Sequence, residues 1–249
     1  MSSPISRATL VCLCALALSA CTPHLVLPSQ PAPARPAGFP GEFYEAAGAN
    51  GEPVFAVDFP DAQRLEMRVY REGSLASLGH DHVVSGRDVH GYALVPRDGS
   101  PARTDVYLPV DSLVVDAPQV GAEQGNAGGL SQEDIDATRR HMLEDVLASA
   151  SYPFVLIQGV CRAGTPLCET LDARITLHGL TRTLDIPVEL QFGGDRLVVS
   201  GHFSVLHSDF GMRPYSVFGG ALRVKDRIDV RFRLEARRIP ESGPSSRLP

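Results

Sequence analysis

A chain of 249 residues, 43% of them hydrophobic and 21% charged, carries enough apolar material to bury a core and is not disordered as a whole. Its formal net charge of −6 argues against a nucleic-acid partner, which would select a basic face. The G-x-S-x-G elbow, the phosphate-binding G-x-x-x-x-G-K and H-E-x-x-H are all missing, so hydrolase, nucleotide and zincin chemistries lose their usual support.

At the start of the chain, Arg7 precedes an apolar run from Ala8 to Ala17 that is too short to span a bilayer as a stable helix. Leu18-Ser19-Ala20-Cys21 then resembles the lipobox of bacterial lipoproteins. That resemblance implies a signal peptide over residues 1–20, cleavage before Cys21 and a membrane anchor through the lipid on Cys21; an ordinary secretory leader is the alternative. Thr22 stands where an Asp often marks retention at the inner membrane, which points to an outer-membrane lipoprotein of the cell envelope facing the periplasm. Pro23, Pro28, Pro31, Pro33, Pro36 and Pro40 punctuate the next stretch, so residues 21–51 are expected to form an extended tether. In polyproline geometry about 20 residues reach roughly 60 Å.

The folded domain is expected over residues 52–238, followed by a disordered tail at 239–249. Residues 54–59 and 64–70 read as strands, the second with Leu65, Met67 and Val69 on one face. Residues 82–94 read as a further strand or a bent pair, and residues 104–110 as another that 113–116 extends. Residues 118–129 are glycine-rich and read as a mobile loop. Ser131 with Asp134 three residues on forms a capping box, and Ile135, Met142, Leu143, Val146 and Leu147 recur at helical spacing.

Strands resume at residues 154–160, and two alternating runs follow, joined by a turn around His178 and Gly179. Leu171, Ala173, Ile175 and Leu177 share one face of the first run, and Leu184, Ile186, Val188 and Leu190 share one face of the second. Pro187 cannot donate to a ladder and predicts an edge, a bulge or a strand end. The last strands are expected at 196–207 and 226–236, where Ile228, Val230, Phe232 and Leu234 alternate with charged residues. Cys12 and Cys14 leave with the leader, so Cys161 and Cys168, flanking a loop in an oxidising compartment, are expected to form a disulfide. The fold class is all-β, about eight strands with one or two short helices. Closed into a barrel, eight strands leave an interior that holds one small ligand.

His141-Met142-Leu143, the SYPFVLI run at 151–157, the TLHGLTRTLDIPV run at 176–188 and SDFGM at 208–212 together resemble the YceI-like family. The resemblance covers residues 53–236. It implies an extended, lipocalin-like antiparallel barrel, exported, binding a polyisoprenoid or similar amphiphile, with no catalytic residues and no cofactor beyond such a bound isoprenoid lipid. The chain departs from the commoner family pattern at Arg139-Arg140, before His141, and at His207, where many members have Arg.

The candidate ligand-binding residues are Leu65, Met67, Val69, Ile175, Leu177, Ile186 and Val188 in the barrel, with Phe210, Met212, Tyr215 and Phe218 as a lid. Polar candidates for the mouth are His80, His82, His207 and Arg213. His80 and His82 sit two apart, which on an extended segment would present both rings to one metal, with His90, His202, His207 or Asp209 as a third ligand. A metal-dependent role there, or a ligand-free envelope interaction module, are the alternatives to an amphiphilic lipid-binding protein. His141 and His178 read as structural. The sequence assigns no protein partner.

Overall fold

The computed structural model describes residues 35–57, 63–117, 130–162 and 168–240. The expected leader, Cys21, the expected tether as far as residue 34, the glycine-rich stretch 118–129 and the expected tail from 241 all lie outside the described residues. The strands are β1 (Val54–Val57), β2 (Arg64–Glu72), β3 (His82–Gly86), β4 (His90–Leu94), β5 (Arg103–Pro109), β6 (Val114–Val115), β7 (Phe154–Cys161), β8 (Thr170–Leu177), β9 (Leu180–Gly193), β10 (Arg196–Leu206), β11 (Ser216–Val217) and β12 (Leu222–Arg238).

The long β12 shows how the wall closes. One edge of it pairs with β10 from Arg227 to Arg237. Along the other edge Arg223 to Arg233 pair with β2, and Arg237 and Arg238 with β1, both antiparallel. β1 and β2 are therefore two parts of one wall strand. β4 pairs with β1 and β3 with β2, so they make a second broken strand, and β5 with β6 a third. Counted this way the wall is a closed barrel of eight antiparallel strands. The bent pair expected at 82–94 and the extension expected at 113–116 are these interruptions.

Local chemistry explains the breaks. Gly91 takes φ +142, and a Cβ there would stand 2.2 Å from Asp105 O. Pro109 lacks an N–H, and a short 3-10 turn, Val110–Ser112, follows it. Gln63, fully buried beside the first break, donates from Nε2 to Glu235 O at 3.2 Å. The β8–β9 hairpin turns on His178 and Gly179 at φ +51 and +75, the positive pair that a type I′ turn requires. A Cβ on Gly179 would fall 2.6 Å from the Tyr152 ring. Pro187 sits inside β9, so the strand does not end there as expected; the missing N–H falls instead where one neighbouring ladder gives way to the other. Its pairing with Thr170 is the last of the β8 ladder, and the β10 ladder begins at Val188.

Among the described residues two α-helices accompany the barrel, α1 (Gly41–Ala49) and α2 (Gln132–His141). α1 corrects the tether expected to reach residue 51. Aromatic residues between the prolines dock it on the outer wall: Tyr44 is completely buried, stacks 5.2 Å from Tyr92 and donates its hydroxyl to Asp105 Oδ2 at 2.5 Å. Arg103 Nε and Gln158 Nε2 also donate to that carboxylate, each at 2.9 Å, so the buried charge is fully bonded. The tail boundary moves as well, because Ile239 N donates to Val54 O at 2.8 Å. α2 begins where expected: Ser131 Oγ accepts from Asp134 N at 3.2 Å. It runs into a π-turn, Met142–Val146, and Ala148 at φ +45 ends it. Met142 and Leu147 pack on one apolar cluster of the interior, and Val146 belongs to the other, so this segment bridges the barrel end at which β7 starts.

Candidate ligand cavity

Alternation sends Leu65, Met67 and Val69 of β2 to the same side as Phe232, Val230 and Ile228 of β12. The same parity directs Leu197, Val199 and Phe203 of β10, Leu190 of β9, and Val106 and Leu108 of β5 inward. These apolar side chains line the inner face of the wall. They enclose a cavity of about 260 Å3, many times the roughly 10–15 Å3 that admits one water. Val155, Ile157, Val199, Phe232 and Leu234 keep partial exposure although they point inward, because the space before them is open.

The structure brings most of the candidates together there. Leu65, Met67, Val69, Ile175, Leu177, Ile186, Val188, Phe210 and Met212 all line the cavity, as does His207. Phe218 does not: it is 71% exposed at φ +52 and points away from the interior, so it is no part of a lid. Tyr215 is likewise absent from the lining, its ring stacked 4.5 Å from His141. Phe210 and Met212 are in place because the short turn Ser208–Phe210 folds back, with Gly211 at φ +67 and both Phe210 N and Met212 N donating to His207 O. The sequence reading missed Ile157, Leu190, Val199, Phe203 and Phe232 as lining residues. Their alternation was visible, and only barrel closure turned it into a site.

The expected polar mouth is not assembled. Arg213 and His80 are exposed and away from the lining. β3 starts at His82, so His80 precedes the strand, and it is exposed where His82 is half-buried. His82 Nδ1 is instead 2.7 Å from Asp116 Oδ2, whose Oδ1 accepts from Val83 N at 2.9 Å. Among the described residues, no group of three His, Cys, Asp or Glu side chains is placed to hold a metal ion.

His207 differs. It is 6% exposed, and its Nδ1 stands 2.7 Å from Asp226 O. A carbonyl only accepts, so Nδ1 carries the proton. Burial pushes the imidazole pKa below its ordinary value, outweighing the opposite pull of the Asp226 carbonyl and charge. Asp226 in turn is held below the usual carboxylate range, first by the Ser208 hydroxyl, and accepts Ser208 N at 2.8 Å. The other polar side chains of the lining are engaged elsewhere. Arg103 is bonded to Asp105, Thr104 Oγ1 donates to Tyr92 O at 2.9 Å, and Tyr107 packs among Phe39, His90 and Phe154. At the opposite end of the barrel a disulfide joins Cys161 and Cys168, and both line the cavity.

The family model of the YceI-like domain matches residues 76–236. The chain belongs to the YceI-like family. Two solved structures share its fold. One is a polyisoprenoid binding domain from Saccharophagus degradans implicated in plant cell wall breakdown, at 13% identity and TM-score 0.51, covering 74% of this chain and 98% of that one. The other is BcnA of Burkholderia cenocepacia, at 12% identity and TM-score 0.52, covering 72% and 98%. No curated protein matches the chain. The YceI-like match includes the second and third broken wall strands, the hairpin, α2 and the His207 turn. α1 and β1 lie before it.

Proposed function

We propose that this YceI-like protein is a binding or carrier protein that shelters an amphiphilic isoprenoid or quinone-like lipid in its barrel. It is anchored through lipid on Cys21 and faces the periplasm from the outer membrane. The observation that carries the reading is the apolar cavity inside the barrel. The cavity, of about 260 Å3, is lined almost wholly by apolar side chains, so an oily chain placed there leaves water for hydrocarbon. Each CH2 of the ligand contributes about 0.8 kcal/mol on burial, before association costs. The S. degradans polyisoprenoid binding domain, which shares the fold, supports the same ligand class. Binding needs no chemical step; the protein acts by removing an oily chain from water.

The test is to purify a Cys21→Ser variant from the periplasm without detergent and weigh it by native mass spectrometry. A co-purifying isoprenoid mass is expected. An empty protein that also refuses added isoprenoids refutes the reading. Palmitate labelling of the wild type, lost in Cys21→Ser, tests the anchor, and membrane fractionation tests its location.

A further inference from the structure

The lining of the apolar cavity includes His207, an imidazole whose bonding is incomplete among the described residues. His207 Nδ1 is committed to Asp226 O, and Nε2 has no hydrogen-bond partner among the described residues. His207 is nine-tenths buried and lines the cavity, as do fully buried Phe210 and nearly buried Met212. Unlike Gln63 Oε1 and Ser85 Oγ, which are sealed without a partner, Nε2 keeps some accessibility, so its free bonding capacity describes what a ligand in the cavity could offer it.

We propose that the lipid's head group is a neutral hydrogen-bond donor, an alcohol or a hydroquinone, bonded to Nε2 of His207 at the α2 end of the barrel. This rests on the lipid-binding reading above and narrows it. The tautomer decides the chemistry. Moving the proton to Nε2 would set the Nδ1 lone pair against the Asp226 carbonyl at 2.7 Å, two acceptors with no hydrogen between them. Nε2 is therefore an acceptor, and its partner must bring the hydrogen. A quinone or ester carbonyl offers only lone pairs, and so does a fully ionised phosphate. An anionic head finds no cation either, because Arg213 is exposed away from the lining and Arg103 is bound to Asp105. Protonating the ring is opposed by its burial. The nearby Asp226 carboxylate, which would favour the imidazolium, is turned to Ser208 N and Oγ.

The experiment compares three ligands with one chain and different heads: geranylgeraniol, its methyl ether and geranylgeranyl phosphate. Each competes against diphenylhexatriene, a hydrocarbon that fluoresces in apolar surroundings, on the purified Cys21→Ser protein at pH 7.5. The alcohol is expected to bind about tenfold tighter than the ether, the difference one net hydrogen bond makes, with the phosphate weakest. His207→Leu should erase the preference for the alcohol while diphenylhexatriene still binds. Equal affinity for alcohol and ether in the His207 protein overturns the proposal, as does a preference for the phosphate, and neither depends on whether His207→Leu folds. If the hydrocarbon and all three ligands stay out, the lipid-binding reading itself falls; if they enter without discrimination, only the head-group assignment does.

Discussion

Val199→Phe separates an open interior from a filled one. Val199 lies inward near the middle of β10, opposite Leu190 on β9 and Leu234 on β12, and remains partly exposed because its methyls face the cavity. In a close-packed core the added carbons would cost about 1–3 kcal/mol through strain. Here the ring enters a void of about 260 Å3, and its extra carbons gain about 0.8 kcal/mol each on burial. After ordering of the ring and imperfect fit, a net gain of about 1–2 kcal/mol is expected. For a domain of this size that raises the unfolding midpoint by about 2–8 °C. The same ring takes space the ligand needs, so lipid binding should fall at least about tenfold. Urea unfolding of lipid-free protein by circular dichroism measures the first effect, and hydrocarbon-probe titration measures the second. Destabilisation by 1–3 kcal/mol together with unchanged lipid binding would refute the open cavity.

Removing the disulfide by Cys161→Ala with Cys168→Ala frees a short loop and should cost about 2 kcal/mol in urea unfolding; no loss would show that the crosslink constrains nothing in the unfolded chain. Tyr44→Phe keeps the stacking on Tyr92 but withdraws one donor from buried Asp105, and a loss of about 1–2 kcal/mol is expected, with α1 more open to limited proteolysis. A stability change below about 0.5 kcal/mol would mean that this bond contributes little. His207 supplies a pH dependence. Its folded pKa lies below the unfolded value of about 6.5, so at lower pH the unfolded chain binds the extra proton first. Stability therefore falls as pH drops from about 6.5 towards the folded pKa, and His207→Gln should flatten that slope in urea titrations at pH 7.5 and 5.5. An unchanged slope would place the ring's charge cost elsewhere.

The outline of the fold was written in period-two alternation, a local property that needs no distant partner. The same holds for the two-residue turn at His178 and Gly179 and for the Ser131 cap, since each depends on neighbours within a few residues. α1 escaped because the prolines before it dominated the reading. The signal was Phe39, Phe43 and Tyr44, whose aromatic rings needed a wall to dock on.

The site depended on closure. Alternation showed that Leu65, Ile175 and Val188 face inward, but whether they meet or leave a gap is set by how far apart the walls stand when β12 pairs back on β1 and β2. His207 and Phe218 lie eleven residues apart in one aromatic, glycine-rich segment that reads uniformly. Only the fold sends one ring into the cavity, with its Nδ1 proton held by Asp226, and the other out to solvent. Composition and pattern therefore determined that this chain makes a sheet with an oily face. The tertiary structure decided that the face surrounds a space, because a void is a property of distances between strands that no single strand encodes.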